Sequence, residues 1–174
     1  MGLYLLQLDR ARRYLERINR IYKGTYVAVD SADYYDDEVV SFFIHCYHIR
    51  DWILHLSKLP ISSKQIDDFI NQHEELKICA DFSNGEKHCS LQRSTRTGRQ
   101  PHLAFREYRV THHSPESGVS STRKAKYKIF SGAKSFDVLE LAKRCVELWE
   151  GFIAYQQQCY LNSKPTTKIG NNED

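Results

Sequence analysis

The chain has 174 residues, of which 41% are apolar and 27% charged, with a formal net charge of +3 and a mean hydropathy of −0.59. That length suits one domain with a buried core. No apolar run approaches the roughly 20 residues that a membrane helix needs. Leu3 to Tyr22 is predicted as the first helix, since Leu5, Leu8, Ala11, Leu15, Ile18 and Tyr22 recur at helical spacing. Asp9, Arg10, Arg12 and Arg13 interrupt its apolar start, so it reads as an amphipathic helix, not a signal peptide, and a cytoplasmic location is expected. Lys23-Gly24 closes it with a C-cap glycine, and Tyr26 to Val29 links onward.

Asp30 to Asp33 supplies N-cap residues for a second helix reaching about Leu56, with Asp36, Asp37 and Glu38 near the positive end of the dipole. Val39 through Leu54 is apolar nearly all round, which predicts a central helix or one buried in a dimer. Pro60 breaks it. Ser62 or Ser63 caps a third helix, which stops at the Asn84-Gly85 turn signal or continues to Leu91. If it continues, Gly85 serves a close approach. Ala104 to Val110 and Lys126 to Phe130 carry strand formers, separated by a Ser- and Gly-rich loop holding His112 and His113, which predicts a hairpin over about 102–131. Ser131 to Lys134 is a turn, and Ser135 caps a last helix with an apolar stripe from Phe136 to Ile153, ending near Tyr160. The expected architecture is a mainly α four-helix bundle over 1–162 with the hairpin between helices three and four, followed by a disordered tail over 163–174.

Charge is uneven. From Gln92 to Ser135, ten Lys and Arg stand against two Glu, a surplus of +8 that leaves −5 for the rest of the chain. Such a segment can face a polyanion. The five cysteines (46, 79, 89, 145 and 159) are odd in number and show no C-x-x-C spacing, so reduced, buried thiols are expected. Cys46 lies between histidines, yet in an apolar pattern that favours an inert thiol over a nucleophile. His45, His48 and Asp51 have ligand-like spacing, but no E-x-x-H pair accompanies them, and no metal is assigned.

The densest polar constellation is Asp81, Asn84 and His88, spaced by three and four so that a continuous helix puts them on one face. With His48 and Asp51 from helix two, they would form a site where an imidazole takes the proton of a ribose 2′-hydroxyl and a cation stabilises the phosphate. A satisfied polar network between helices is the structural alternative.

Ser83-Asn84-Gly85-Glu86-Lys87-His88 resembles the HEPN superfamily motif, in which Arg, commonly followed by a polar residue such as Asn, precedes a His by four to six residues. Ser83 stands where the family carries Arg, and Arg50 is the candidate replacement. Cys46-Tyr47-His48 and Ala80 to His88 also resemble a group of uncharacterised bacterial proteins, which implies no activity. The HEPN resemblance implies a helical, often dimeric protein of prokaryotic defence or toxin–antitoxin systems that binds or cleaves RNA without metal or cofactor. On that reading His88, His48, Asn84 and Asp51 are the catalytic candidates, making the chain a candidate metal-independent ribonuclease. Arg50, Lys87, Arg93, Arg96, Arg99, Arg106, Lys126 and Lys128 are the candidate RNA contacts. A second copy of the chain and a protein from a neighbouring gene are the expected partners. The competing expectation is a non-catalytic interaction or scaffold module of the same systems.

Overall fold

The amphipathic stripes fold as expected in a computed structural model, which describes residues 2–26, 32–88, 94–113 and 120–163. Helix α1 spans Leu5–Lys23 and buries Leu8, Ala11, Ile18 and Ile21 on one side. Gly24, at φ 118, ends it by donating its N–H to the Arg20 carbonyl. Helix α2 spans Ala32–Leu56 and is central, as its apolar girth requires: it packs on α1, α4 and α5. The expected caps at Asp30 and Ser31, the linker over 27–29 and the tail over 164–174 lie outside the described residues.

Helix three is corrected to two helices. Helix α3 spans Ser63–Gln72 and opens with a full capping box, Ser62 and Gln65 each bonding the other's backbone N–H. His73 then adopts an extended conformation, φ −118 and ψ 119, and α4 spans Glu74–His88. Glu74 and Glu75 sit in the first turn of α4, where the dipole favours them. Nothing like a Gly or Pro announces the break.

Helix α4 runs through Asn84-Gly85. A Cβ on Gly85 would sit 3.0 Å from the Gln100 side chain, so the glycine does admit a close neighbour.

The four-helix bundle is itself overturned: among the described residues there are five helices and a four-stranded antiparallel sheet, an α+β fold. The hairpin is present as β2, His102–His113, and β3, Ser120–Ser131. Its partner strands are what the sequence hid. β1, Thr25–Tyr26, pairs with Thr122 and Arg123. β4, Lys134–Asp137, pairs with Lys128 to Ser131 through a two-residue turn at Gly132-Ala133. Since β2 occupies one edge of β3 along its length, β1 and β4 share the other edge end to end. Ser135 is therefore a strand residue, and Asp137 caps the last helix by accepting from the N–H groups of Leu139 and Glu140. That helix, α5, spans Val138–Asn162.

The divided edge leaves a gap opposite Tyr127, and Tyr22 of α1 fills it. Its hydroxyl accepts from the Tyr127 N–H and donates to the Tyr127 carbonyl, both at 3.0 Å. Burial is the main reason the Tyr22 hydroxyl is pushed up to about 12 in pKa. Replacing Tyr22 by Phe keeps the ring and orphans two ladder groups. The expected loss is about 2 kcal/mol, or roughly 4–8 °C in a chain of this size. A melting shift under 1 °C would show that water takes over both groups.

Ala125, Tyr127 and Ile129 point from β3 into the same core that holds Phe42, Phe43, Phe82 and Trp149. Among the described residues no helix is long and apolar enough to cross a membrane.

Candidate nucleic-acid interface

Asp81, Asn84 and His88 share one face of α4, as a continuous helix dictates. That face looks onto the segment 94–100. Asp81 is 3% exposed and holds three donors: the Arg96 N–H at 2.8 Å, the Thr97 N–H at 2.7 Å and the Thr97 hydroxyl at 2.7 Å. It is an anchor for a loop. Asn84 is half-buried and His88 exposed in the last turn beside Lys87, and among the described residues neither side chain makes a hydrogen bond.

His48 is not brought to them. α2 meets α4 through Phe43, whose ring lies 5.2 Å from that of Phe82, and through the Phe43 carbonyl, which accepts from the Cys79 thiol. His48 is five residues beyond Phe43, about 140° round the helix. His45, one turn earlier, stacks on Tyr14 of α1 at 5.0 Å and has Gln7 Nε2 3.3 Å from its Nδ1. Burial first, then the charges of Arg10, His48 and Arg13, hold His45 below its ordinary pKa. His48 thus lies toward α1, away from the Asn84–His88 face. Asp51 accepts from Arg50 Nη1 at 2.9 Å.

Arg50 is not available to replace the motif arginine. It forks onto Asp67, Nε to Oδ1 at 2.9 Å and Nη2 to Oδ2 at 2.7 Å, and also donates to Ser63. Arg96 reaches the same carboxylate at 2.7 Å and Asn71 at 2.7 Å. One carboxylate between two guanidiniums is a clamp joining α2, α3 and the 94–97 segment. Arg106 pairs with Asp36 at 2.8 Å, tying β2 to the first turns of α2. Arg93 lies outside the described residues. Lys87 and Arg99 are exposed.

What remains gathers on the sheet. β3 alternates, so while Ala125, Tyr127 and Ile129 face the core, Lys124, Lys126 and Lys128 face outward. The register sets Arg109 opposite Lys124 and Glu107 opposite Lys126. Tyr26, 69% exposed, stands opposite Thr122 on the same face. Tyr22, Glu107, Arg109, Lys124 and Lys126 line a pocket of about 210 Å³ there. No family profile, curated protein or solved structure matches this chain.

Lys126 and Lys128 were visible as candidates from the alternation of charge and apolar residues. Lys124, Arg109 and Tyr26 were not singled out. The pairing of β1 with β3 alone makes Tyr26 their neighbour.

Proposed function

We propose that this chain binds single-stranded RNA on the outer face of its sheet. The observation that carries the reading is the in-register group of Lys124, Lys126, Lys128 and Arg109 on one face, with Tyr26 beside it. Alternate residues of a strand lie about 6.8 Å apart, so the lysines form a row that a phosphate backbone can follow. An exposed tyrosine next to such a row offers a ring for an unpaired base. Binding is favoured over cleavage because His48 lies apart from Asn84 and His88, and because Arg50 is committed to Asp67.

Labelled single-stranded RNA, titrated by fluorescence anisotropy over a range of salt, tests this. Four phosphate contacts give a slope of log K against log salt of about −3. The pair Lys124→Ala and Lys126→Ala is expected to flatten that slope by about 1.4 and weaken binding roughly tenfold near physiological salt. Glu107→Gln removes the one acid of the pocket and tightens binding. RNA incubated with the protein in EDTA stays intact. Unchanged binding by the lysine variant removes the proposal; metal-free cleavage that disappears in His88→Ala replaces it with a ribonuclease.

A further inference from the structure

Three helices each deliver one thiol to a single point in the core. Cys46 from α2, Cys79 from α4 and Cys145 from α5 are 0%, 1% and 0% exposed, and their sulfurs all lie within 4.8 Å of one another. Cys79 donates to the Phe43 carbonyl at 3.6 Å and Cys145 to the Glu75 carbonyl at 3.5 Å. Cys46 completes the triangle, its sulfur within 4.8 Å of the other two, with the Trp149 indole beside it. Trp149 Nε1 is fully buried and has no hydrogen-bond partner, alone in this among the described side-chain nitrogens and oxygens. A buried N–H without an oxygen partner is costly. A thiolate sulfur would answer it.

The geometry points to a trigonal three-thiolate site for a soft d10 metal ion, Cu(I) fitting best. A triangle with 4.8 Å sides has its centre about 2.8 Å from each corner, and a metal–thiolate bond is about 2.3 Å. Each sulfur need move inward by no more than about half an ångström. Thiolates select Cu(I) and Zn(II) among common ions. Zn(II) asks for a fourth ligand when closed and a water when catalytic. Here the set stops at three among the described residues, and the site is sealed from solvent. Cu(I) accepts three sulfurs. On binding, each thiol gives its proton to solvent as its sulfur takes a metal bond, and no electron is transferred.

A disulfide accounts for less, since it would join two sulfurs and leave the third and the indole as they are. The Trp149 N–H donating to a ligating sulfur is the kind of outer contact that orients and stabilises a metal ligand.

The test refolds the full chain anaerobically with one equivalent of Cu(I) and challenges it with bicinchoninate. The expected result is one Cu(I) retained per chain, a raised melting temperature, and quenching of Trp149 emission read in a Trp52→Phe background. Cys46→Ala, checked for folding by circular dichroism, loses all three responses, and Cys159→Ser keeps them. X-ray absorption on the loaded wild-type protein makes the result independent of any variant: three sulfur neighbours at about 2.3 Å are expected. No retained copper in the folded protein, equal retention by a folded Cys46→Ala, nitrogen or oxygen neighbours, or displacement by equimolar Zn(II) would each overturn the assignment.

Discussion

Asp81→Ala is expected to destabilise the protein by about 3 kcal/mol. The carboxylate is almost wholly buried and receives two backbone N–H groups and a hydroxyl at 2.7–2.8 Å. Hydrogen bonds to a charged group are worth about 1.5–3 kcal/mol each in net terms. The sum is discounted because Arg96 and Thr97 are half-buried and water can reach part of what is left, and because the Thr97 hydroxyl keeps the Arg99 carbonyl as a partner at 2.7 Å. The two backbone N–H groups have no such substitute. In a chain of this size the loss lowers the melting temperature by roughly 6–12 °C. Asp81→Asn should fall between, since it keeps an acceptor but turns an amide N–H toward donors. Hydrogen exchange should show the Arg96 and Thr97 amides losing protection first. A loss under 1 kcal/mol with those amides still protected would mean that the 94–97 segment is held by something else.

Asp67→Ala is expected to lower stability by about 2 kcal/mol, by removing the one carboxylate that two guanidiniums share. Breaking one partner out of a buried ion pair costs about 3–5 kcal/mol. The figure is reduced here because the Asp67 side chain is 28% exposed, so solvent screens part of the interaction. The same group gives a pH signature. Hydrogen bonds from Arg50, opposed by burial and reinforced by Arg96, hold Asp67 below the usual carboxylate range. An unfolded Asp titrates near 3.9. The folded form therefore binds its proton later on acidification, and the stabilisation is complete above about pH 4 and fades as pH falls below it. Asp67→Asn should flatten that acid limb, measured as stability against pH by denaturant unfolding. An identical limb in wild type and variant would assign acid sensitivity to other carboxylates. Because Asp67 and Asp81 both hold the Arg96 segment, the double variant should lose less than the two singles combined.

These two aspartates show how close sequence reading came to the polar core of the fold. The Asp81–Asn84–His88 face is correctly one face, because helical periodicity fixes it whatever surrounds the helix. Asp81 is a loop anchor because the residues that satisfy it, Arg96 and Thr97, are 15 and 16 positions away, and nothing local to α4 reveals them. Arg50 is likewise claimed by Asp67, 17 residues on. Each of the two is taken up by a structural partner, a loop for Asp81 and α3 for Arg50.

By itself the sequence determined the amphipathic helices, the long hairpin, the cap at Gly24 and the basic middle of the chain. Each rests on spacing or composition within one continuous stretch of the chain. Only the tertiary structure decided the class of the fold and the placement of its chemistry. Strands of two and four residues hold too few positions for alternation to register, so β1 and β4 exist through β3 and not through their own pattern. The break at His73 carries no Gly or Pro. The convergence of Cys46, Cys79 and Cys145 depends on how three separate helices rotate against one another, which is settled by packing in the core and not by periodicity along the chain.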